Sequence, residues 1–134
     1  MIKSLELQKV VINSIKNIDY LQKNDVKIFT SVPLKAKPPY IKIVSISMAE
    51  CQQNANIDSF LIDLFVVTNS KNNSKILEIM ECLRLDFEDK INQYIDDEKA
   101  MINIFNIHDV KYNILEDLQS NFWNGHFYIN IDLL

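Results

Sequence analysis

The strongest candidates for chemistry in this chain are its two histidines and two cysteines: His108, His126, Cys51 and Cys82. Two histidines and two cysteines are a common ligand set for a structural zinc ion, but such sites take their ligands in closely spaced pairs. No two of these four residues are close in the sequence. We therefore predict no bound metal, and we interpret both histidines as ordinary surface or bulge residues.

Cys82 is also the leading candidate for a nucleophile. A catalytic cysteine needs a base beside it and a third group that orients the base. Cys82 borders the apolar stripe of a predicted helix, and neither histidine is near it in the sequence. The sequence therefore predicts that Cys82 is a small buried hydrophobic residue rather than a catalytic one.

Acidic residues cluster in two places, within a predicted helix at Asp86, Glu88 and Asp89 and after it at 96–98. Clusters of carboxylates are typical of the active sites of metal-dependent nucleases. However, Asp86 and Glu88 are two positions apart on a helix, so they do not face each other. We interpret both clusters as solvated charge. The sequence thus predicts no catalytic residue, no cofactor and no enzymatic activity, and a small enzyme or nuclease is kept only as a third alternative.

Composition limits the remaining functions. The chain has 134 residues, of which 48% are apolar, and this suffices for the core of one domain spanning residues 1–134. The net charge is −4 and Arg84 is the single arginine, which argues against tight binding of nucleic acid because phosphate recognition depends on basic residues. The only glycine is Gly125, so no Gly-rich phosphate-binding loop is available.

Neither a membrane span nor a secretion signal is predicted. No apolar run approaches the roughly 18 residues of a membrane-spanning helix. The segment Met1–Ser4 lacks the apolar core of a signal peptide. We therefore expect synthesis in a bacterial cytoplasm and no membrane partner.

Hydrophobic periodicity predicts two helices and five strands. Helices are indicated at 4–23 and 76–95, and the second either runs through or breaks near Asp86. Strands are predicted at 26–31, 40–48, 59–68, 101–114 and 126–134. The strand 59–68 is apolar on both faces, which is typical of a central strand. The predicted fold class is α+β, with a mixed or antiparallel sheet packed by two helices in the order α-β-β-β-α-β-β.

Strict alternation assigns the apolar residues of two strands to faces. In the second strand, it places Ile43 on one face and Ile46 on the other. In the fourth strand, it places Phe105 and Ile107 on the same face. The pair His108-Asp109 then interrupts the alternation, which predicts a β-bulge there.

Aromatic residues crowd the last predicted hairpin, at Phe122, Trp123, Phe127 and Tyr128. Few basic residues lie near them, so stacking on nucleic-acid bases is not favoured. They either pack the hairpin and the core or anchor a protein partner.

The longest polar connections are the other candidates for recognition, because binding residues concentrate in loops. The predicted protein-interface residues are Lys35, Lys37, Gln52, Gln53, Asn54, Asn121, Trp123 and Asn124.

Four segments carry a resemblance to a known family. They are the N-terminal helix 5–19, the segment Ile28–Pro33 with Pro38-Pro39-Tyr40 after it, the strand Ile62–Ser70 running into the second helix, and the closing hairpin opened by Trp123–Phe127. In these features the chain resembles the tail-terminator (tail-completion) proteins of long-tailed bacteriophages and gene transfer agents, over nearly its whole length. It departs from the common pattern in lacking glycine in its loops.

The resemblance implies a structural protein rather than an enzyme. It implies a homo-hexameric ring that caps the tail tube in the tail or neck of a virion, in contact with the major tail (tube) protein and a head-completion or connector protein. DNA would pass through such a ring without specific binding. The alternative is a head–tail adaptor or another non-catalytic interaction module, such as an inhibitor-like domain.

Overall fold

The computed structural model describes residues 2–49, 56–98 and 100–134, with only the backbone of Glu98. Its helices and strands follow in chain order: α1 (Lys3–Lys16), α2 (Asp19–Lys23), β1 (Lys27–Phe29), β2 (Tyr40–Ala49), β3 (Asp58–Val67), α3 (Ser74–Glu98), β4 (Ile104–Asp117) and β5 (Phe122–Leu133). The strands form one mixed sheet in the order β1-β2-β3-β5-β4. β1 pairs with β2 in parallel, and every other pair is antiparallel. The predicted α+β class and order of elements are confirmed.

The predicted first helix is two helices. α1 ends at Asn17, whose backbone N–H bonds the Ser14 carbonyl oxygen, and Ile18 bonds Ile15 in the same three-residue pattern. Such tight bonds end an α-helix, and asparagine favours termini over helix interiors. A short helix, α2, follows and buries Leu21.

α3 is a single helix of 25 residues with no break near Asp86. Its buried residues recur every three or four positions, as the sequence predicts. They are Ile76, Ile79, Met80, Cys82, Leu83, Phe87 and Ile91. This stripe and the buried side of α1 lie over one face of the sheet and form one core with it.

β3 is the central strand, as its apolar composition predicts. It pairs with β2 on one side and with β5 on the other over its full length. Alternate residues of β3 and β5 face the helices, and those side chains are buried. They are Phe60, Ile62, Leu64 and Val66 of β3 and Phe127, Ile129, Ile131 and Leu133 of β5.

A β-bulge at Val44 makes the predicted faces of β2 wrong beyond that point. Ile43 pairs with Leu64, but the next paired residue is Ser45. One residue is therefore left over, and every later side chain changes face. Ile46 lies opposite the buried Ile62, on the same face as Ile43 and packed against the core.

β4 contains two such irregularities. The predicted bulge is confirmed: the register shifts between His108 and Lys111, and Asp109 has a positive φ of 53°. A second shift at Phe105 was not predicted. It leaves Phe105 59% exposed and places Ile107 against the core, so these two residues do not share a face.

The single glycine lies where a side chain would clash with the backbone of β4. A Cβ atom at Gly125 would lie 2.2 Å from the backbone oxygen of Asn113 and 3.1 Å from Cα of Ile114. Backbone atoms cannot move aside cheaply, so any other residue would force the two strands apart. Gly125 is thus required by strand packing rather than by a turn.

The burial pattern of α3 yields a matched pair of substitutions. Leu83 is completely buried against the sheet, whereas Leu85, two positions along the same helix, is 59% exposed. Leu83→Asp buries an unpaired carboxylate, and we expect a loss of more than about 3 kcal/mol in the free energy of unfolding. Leu85→Asp should cost only about 1 kcal/mol, from the lower helix propensity of aspartate and repulsion by Glu81 and Asp89 four positions away. Urea denaturation of both variants tests this, and a cooperative, near-normal transition for Leu83→Asp would contradict the orientation of α3.

Candidate protein-interaction surface

The described helices cover one face of the sheet, and within residues 2–49, 56–98 and 100–134 none lies over the other face. We call this second face the open face. It is defined by residues that alternate with the buried ones on the three inner strands: Lys42, Ser45 and Ser47 of β2, Leu61, Asp63, Phe65 and Val67 of β3, and Asn124, His126, Tyr128, Asn130 and Asp132 of β5. Lys111 and Asn113 of β4 continue it to the edge.

An aromatic group occupies the middle of the open face. The ring of His126 lies between Phe65, with ring centroids 4.8 Å apart, and Tyr128, which it stacks on at 5.7 Å. Nδ1 of His126 lies 2.7 Å from Oδ1 of Asp63 on the neighbouring strand. At the far side of Tyr128, the ammonium group of Lys111 is 5.9 Å from the ring centroid. The three rings and Asp63 are half-buried, whereas Lys111 is exposed, so the group presents a largely preformed aromatic surface.

His108 forms a second histidine–aspartate group on the same face. Its Nδ1 lies 2.9 Å from Oδ2 of Asp109, and its Nε2 lies 3.1 Å from Oδ2 of Asp132. The two carboxylates, Asp109 first and Asp132 second, raise the pKa of His108 above its ordinary value. Because they bind opposite nitrogens of one ring, they do not converge on a common point. The group therefore fastens the bulged strand β4 to β5 rather than forming a metal site.

The predicted interface residues that the structure describes lie at one end of the sheet. Lys35 and Lys37 are exposed in the connection from β1 to β2. They line a groove of about 630 Å³ whose other wall includes Asn24, Asp25 and Lys27. Two more loops reach the same end of the sheet, the turn after β3 and the β4–β5 hairpin.

Trp123, one of the predicted interface residues, packs within the fold. It is half-buried against the core, and its indole N–H donates a 3.1 Å hydrogen bond to the carbonyl oxygen of Lys71. The backbone oxygen of Trp123 accepts hydrogen bonds from Thr68. Trp123 thus holds the hairpin against the turn after β3, as the packing interpretation predicts.

The two asparagines predicted at the hairpin differ in role. Asn121 is exposed at the tip with a positive φ of 58°, a conformation that asparagine tolerates, and its backbone N–H bonds the Asp117 oxygen at 2.7 Å. Asn124 lies on the open face, and no donor in the described part of the chain reaches its buried Oδ1. Asn121 therefore shapes the turn, while the side chain of Asn124 leaves a buried acceptor without a donor from the described residues.

Gln52, Gln53 and Asn54 lie outside the described residues. The strand ends that flank them, Ala49 and Asp58, are at the opposite end of the sheet from the hairpin tip.

The residues considered for catalysis are not brought together. Cys82 is buried, its thiol donates a hydrogen bond to the Ile79 carbonyl oxygen, and burial with the nearby Asp86 raises its pKa to about 12. A thiol with that pKa stays protonated at neutral pH and is a poor nucleophile. Asp86, Glu88 and Asp89 are exposed on α3. In the described ranges, no three histidine, cysteine or carboxylate side chains are placed to hold a metal ion.

Sequence reasoning missed the open face as a surface in its own right. The available signal was the alternation of His126, Tyr128, Asn130 and Asp132 between buried residues of β5. That pattern marks the outward side of a half-covered strand. The partner of His126, however, is 63 positions away in the sequence, and no local pattern identifies it.

Comparison with known proteins leaves the family open. No protein-family model matches the chain, and no curated protein shows significant sequence similarity to it. Among the described helices, none combines the length and the apolar character needed to cross a lipid bilayer.

The His108 group predicts a pH-dependent contribution to stability. Since the folded pKa is raised above 6.5, the contribution is complete below the unfolded pKa and is lost as pH rises through the folded pKa. The His108 side chain is 37% exposed, so solvent screening keeps the effect small. We expect the wild type to exceed His108→Gln in free energy of unfolding by more at about pH 5.5 than at about pH 8.5. Urea denaturation at both pH values measures this, and an equal difference at the two would contradict the pairing.

Proposed function

We propose that this protein is a structural subunit that works by assembly: a tail-terminator or tail-completion protein of a long-tailed phage, prophage or gene transfer agent. In this role, copies of the chain form a six-membered ring on the tail tube. The ring contacts the major tail protein on one side and a head-completion or connector protein on the other. The observation that carries the proposal is the open face of the sheet, which offers partners a broad surface of aromatic and polar side chains.

The composition of the open face suits a protein partner. Its centre is Phe65, His126 and Tyr128, and aromatic residues of this kind dominate the energetics of protein interfaces. Two aspartates of the face, Asp63 and Asp132, contact histidines. A partner that covers them therefore does not bury isolated carboxylates, which would be costly.

The shape of the molecule is compatible with repeated assembly. The groove beside Lys35 and Lys37 and the hairpin tip lie at one end of the sheet, while the open face runs along its side. Separate surfaces that bind different neighbours are needed for a head-to-tail contact, and such contacts close into a ring when the rotation per subunit divides a full turn. A tube with six equivalent positions also raises the effective concentration of subunits, so weak contacts suffice.

A head–tail adaptor, or another non-catalytic interaction module, is the second candidate. It would use the same open face but would bind the head connector without capping the tube. The two functions differ in what fails when the protein is missing, because a terminator also stops growth of the tail.

Deletion of the gene from its phage or prophage tests the proposed function. We expect tails of uncontrolled length, or filled heads without attached tails, in electron micrographs of the lysate. Tails of normal length that stay unattached to heads would favour the adaptor. Normal infectious particles would reject both assignments. Complementation with the wild-type gene on a plasmid is the control.

The groove at the end of the sheet gives a sharper variant for the same assay. Lys35→Glu/Lys37→Glu reverses two exposed charges in a loop and should reduce the titre of complemented particles without changing the melting temperature of the purified protein. Lys16→Glu/Lys23→Glu makes the same change in charge at exposed positions on α1 and α2, and it should complement fully. Equal complementation by both double variants would show that the groove has no role in assembly.

A further inference from the structure

The outer edge of β4 ends the sheet and has no neighbouring strand among the described residues. An edge of this kind carries a row of unpaired backbone N–H and C=O groups that can pair with another strand. Proteins usually protect such edges with short strands or bulges. β4 is 14 residues long, and its bulges lie in its first half. The second half is left as a regular edge without a bulge.

The regular part of the edge has well-defined limits. It begins at Lys111, directly after the register shift that follows His108, and ends at Asp117, where the turn to β5 starts. Between them the pairing with β5 runs without interruption. The segment has seven residues, and its midpoint is Ile114.

We propose that two copies of this chain pair along Lys111–Asp117 of β4, antiparallel and about a two-fold axis at Ile114, to form a dimer with a continuous ten-stranded sheet. The register follows from the limits of the segment, because only an axis at its midpoint lets both strands use all seven residues. The pairing then sets Lys111 opposite the partner's Asp117 and Tyr112 opposite the partner's Glu116. The two-fold axis repeats each of these pairs.

Charge complementarity supports this register. Directly opposite residues of an antiparallel pair share a face, so Lys111 meets the partner's Asp117 twice per dimer. Asp117 stays charged at neutral pH, since hydrogen bonds from the Gln119 backbone and the Ser120 hydroxyl lower its pKa. An axis one residue earlier, at Asn113, would instead set Asp117 opposite the partner's Asp109, which is repulsive. An axis one residue later would run Lys111 into the turn of the partner.

Exposed apolar residues along the edge also favour a partner strand. Leu115 is 65% exposed in the middle of the segment, and Leu118 is 85% exposed at its end. In the proposed register, Leu115 lies beside the partner's Asn113, and Leu118 approaches the partner's Val110 next to its bulge. Both leucines lose contact with water in the dimer, which stabilises it.

A two-fold contact closes at two copies, so this dimer is not the ring itself. It is a form of the free protein, and the experiments that test it do not depend on the proposed function. Seven residues a side bury less than the roughly 1,600 Å² of a standard stable interface. The dimer should therefore be weak and appear only as the protein concentration rises.

Sedimentation velocity over a series of protein concentrations tests the dimer. The wild type should shift from monomer to dimer, and Lys111→Glu should raise the dissociation constant by about tenfold or more, because it replaces two attractive pairs with two repulsive ones. Lys42→Glu is the matched control, an exposed charge reversal on β2 of the open face, away from this edge. It should leave the dissociation constant unchanged. A wild type that stays monomeric throughout, or a Lys111→Glu dimer as tight as the wild type, would overturn the proposal.

Two further measurements test the register. A mixture of Lys111→Glu with Asp117→Lys should form heterodimers, because each variant repels itself and attracts the other.

If loss of the turn contacts of Asp117 unfolds that variant, disulfide crosslinking tests the register instead. In a Cys51→Ser background, Asn113→Cys/Leu115→Cys should form a crosslinked dimer on oxidation, because position 113 of one copy lies directly opposite position 115 of the other. Each single cysteine variant should not crosslink, because the two copies of one such residue lie diagonally across the two-fold axis, too far apart for a disulfide. Crosslinking by a single variant as efficient as by the double variant would contradict this register.

Discussion

The packing of α3 on one face of the sheet is the interaction on which the rest of the structure depends. Phe87 of α3 and Phe127 of β5 lie with ring centroids 6.3 Å apart at the centre of the core. Around them, the buried residues of α3, β3 and β5 form a single cluster to which α1 adds its own stripe. All described helices pack on this face of the sheet. Within the described residues, the opposite face of the sheet is therefore left without a covering helix, and its side chains are available for contact with other molecules.

The open face shows how a half-covered sheet tolerates charge. Asp63 and Asp132 lie on inner strands, where neighbouring side chains shield them from water. A carboxylate in such a position needs a partner, and each contacts a histidine across the strands. Both histidines of the chain thus make cross-strand contacts with aspartates. What results is a surface of low net charge with aromatic residues at its centre, a combination that favours protein contacts over nucleic-acid contacts.

The elements that the sequence predicts correctly are those in which one periodic pattern runs without interruption. α3 and β3 are of this kind, since Leu83 and Phe87 repeat at helical spacing and Ile62 and Leu64 at strand spacing. The errors come where one residue breaks the period. The bulges at Val44 and Phe105 each exchange the faces of the residues that follow, and nothing in the local sequence marks them. Only pairing with the neighbouring strand decides where the extra residue goes.

The interaction surface was harder to predict than the fold for a related reason. The predicted interface residues Trp123 and Asn121 both make contacts that shape the hairpin. The contact between His126 and Asp63 joins two strands that are adjacent only in the folded sheet.

The two bulges of β4 also determine where another strand can pair with the sheet. The bulges of β4 protect the first half of the edge and confine any added strand to the second half, between Lys111 and Asp117. A two-fold contact on this short segment occupies the edge, including Lys111 and Asn113 of the open face, but it leaves free the groove beside Lys35 and the part of the open face on β2, β3 and β5. Subunits held in a weak dimer of this kind can therefore separate and form the contacts of the proposed ring without any change in fold. Under the proposed function the pairing of edges has to stay weak, since a tightly paired edge would compete with the contacts that each subunit makes to its two neighbours in the proposed ring.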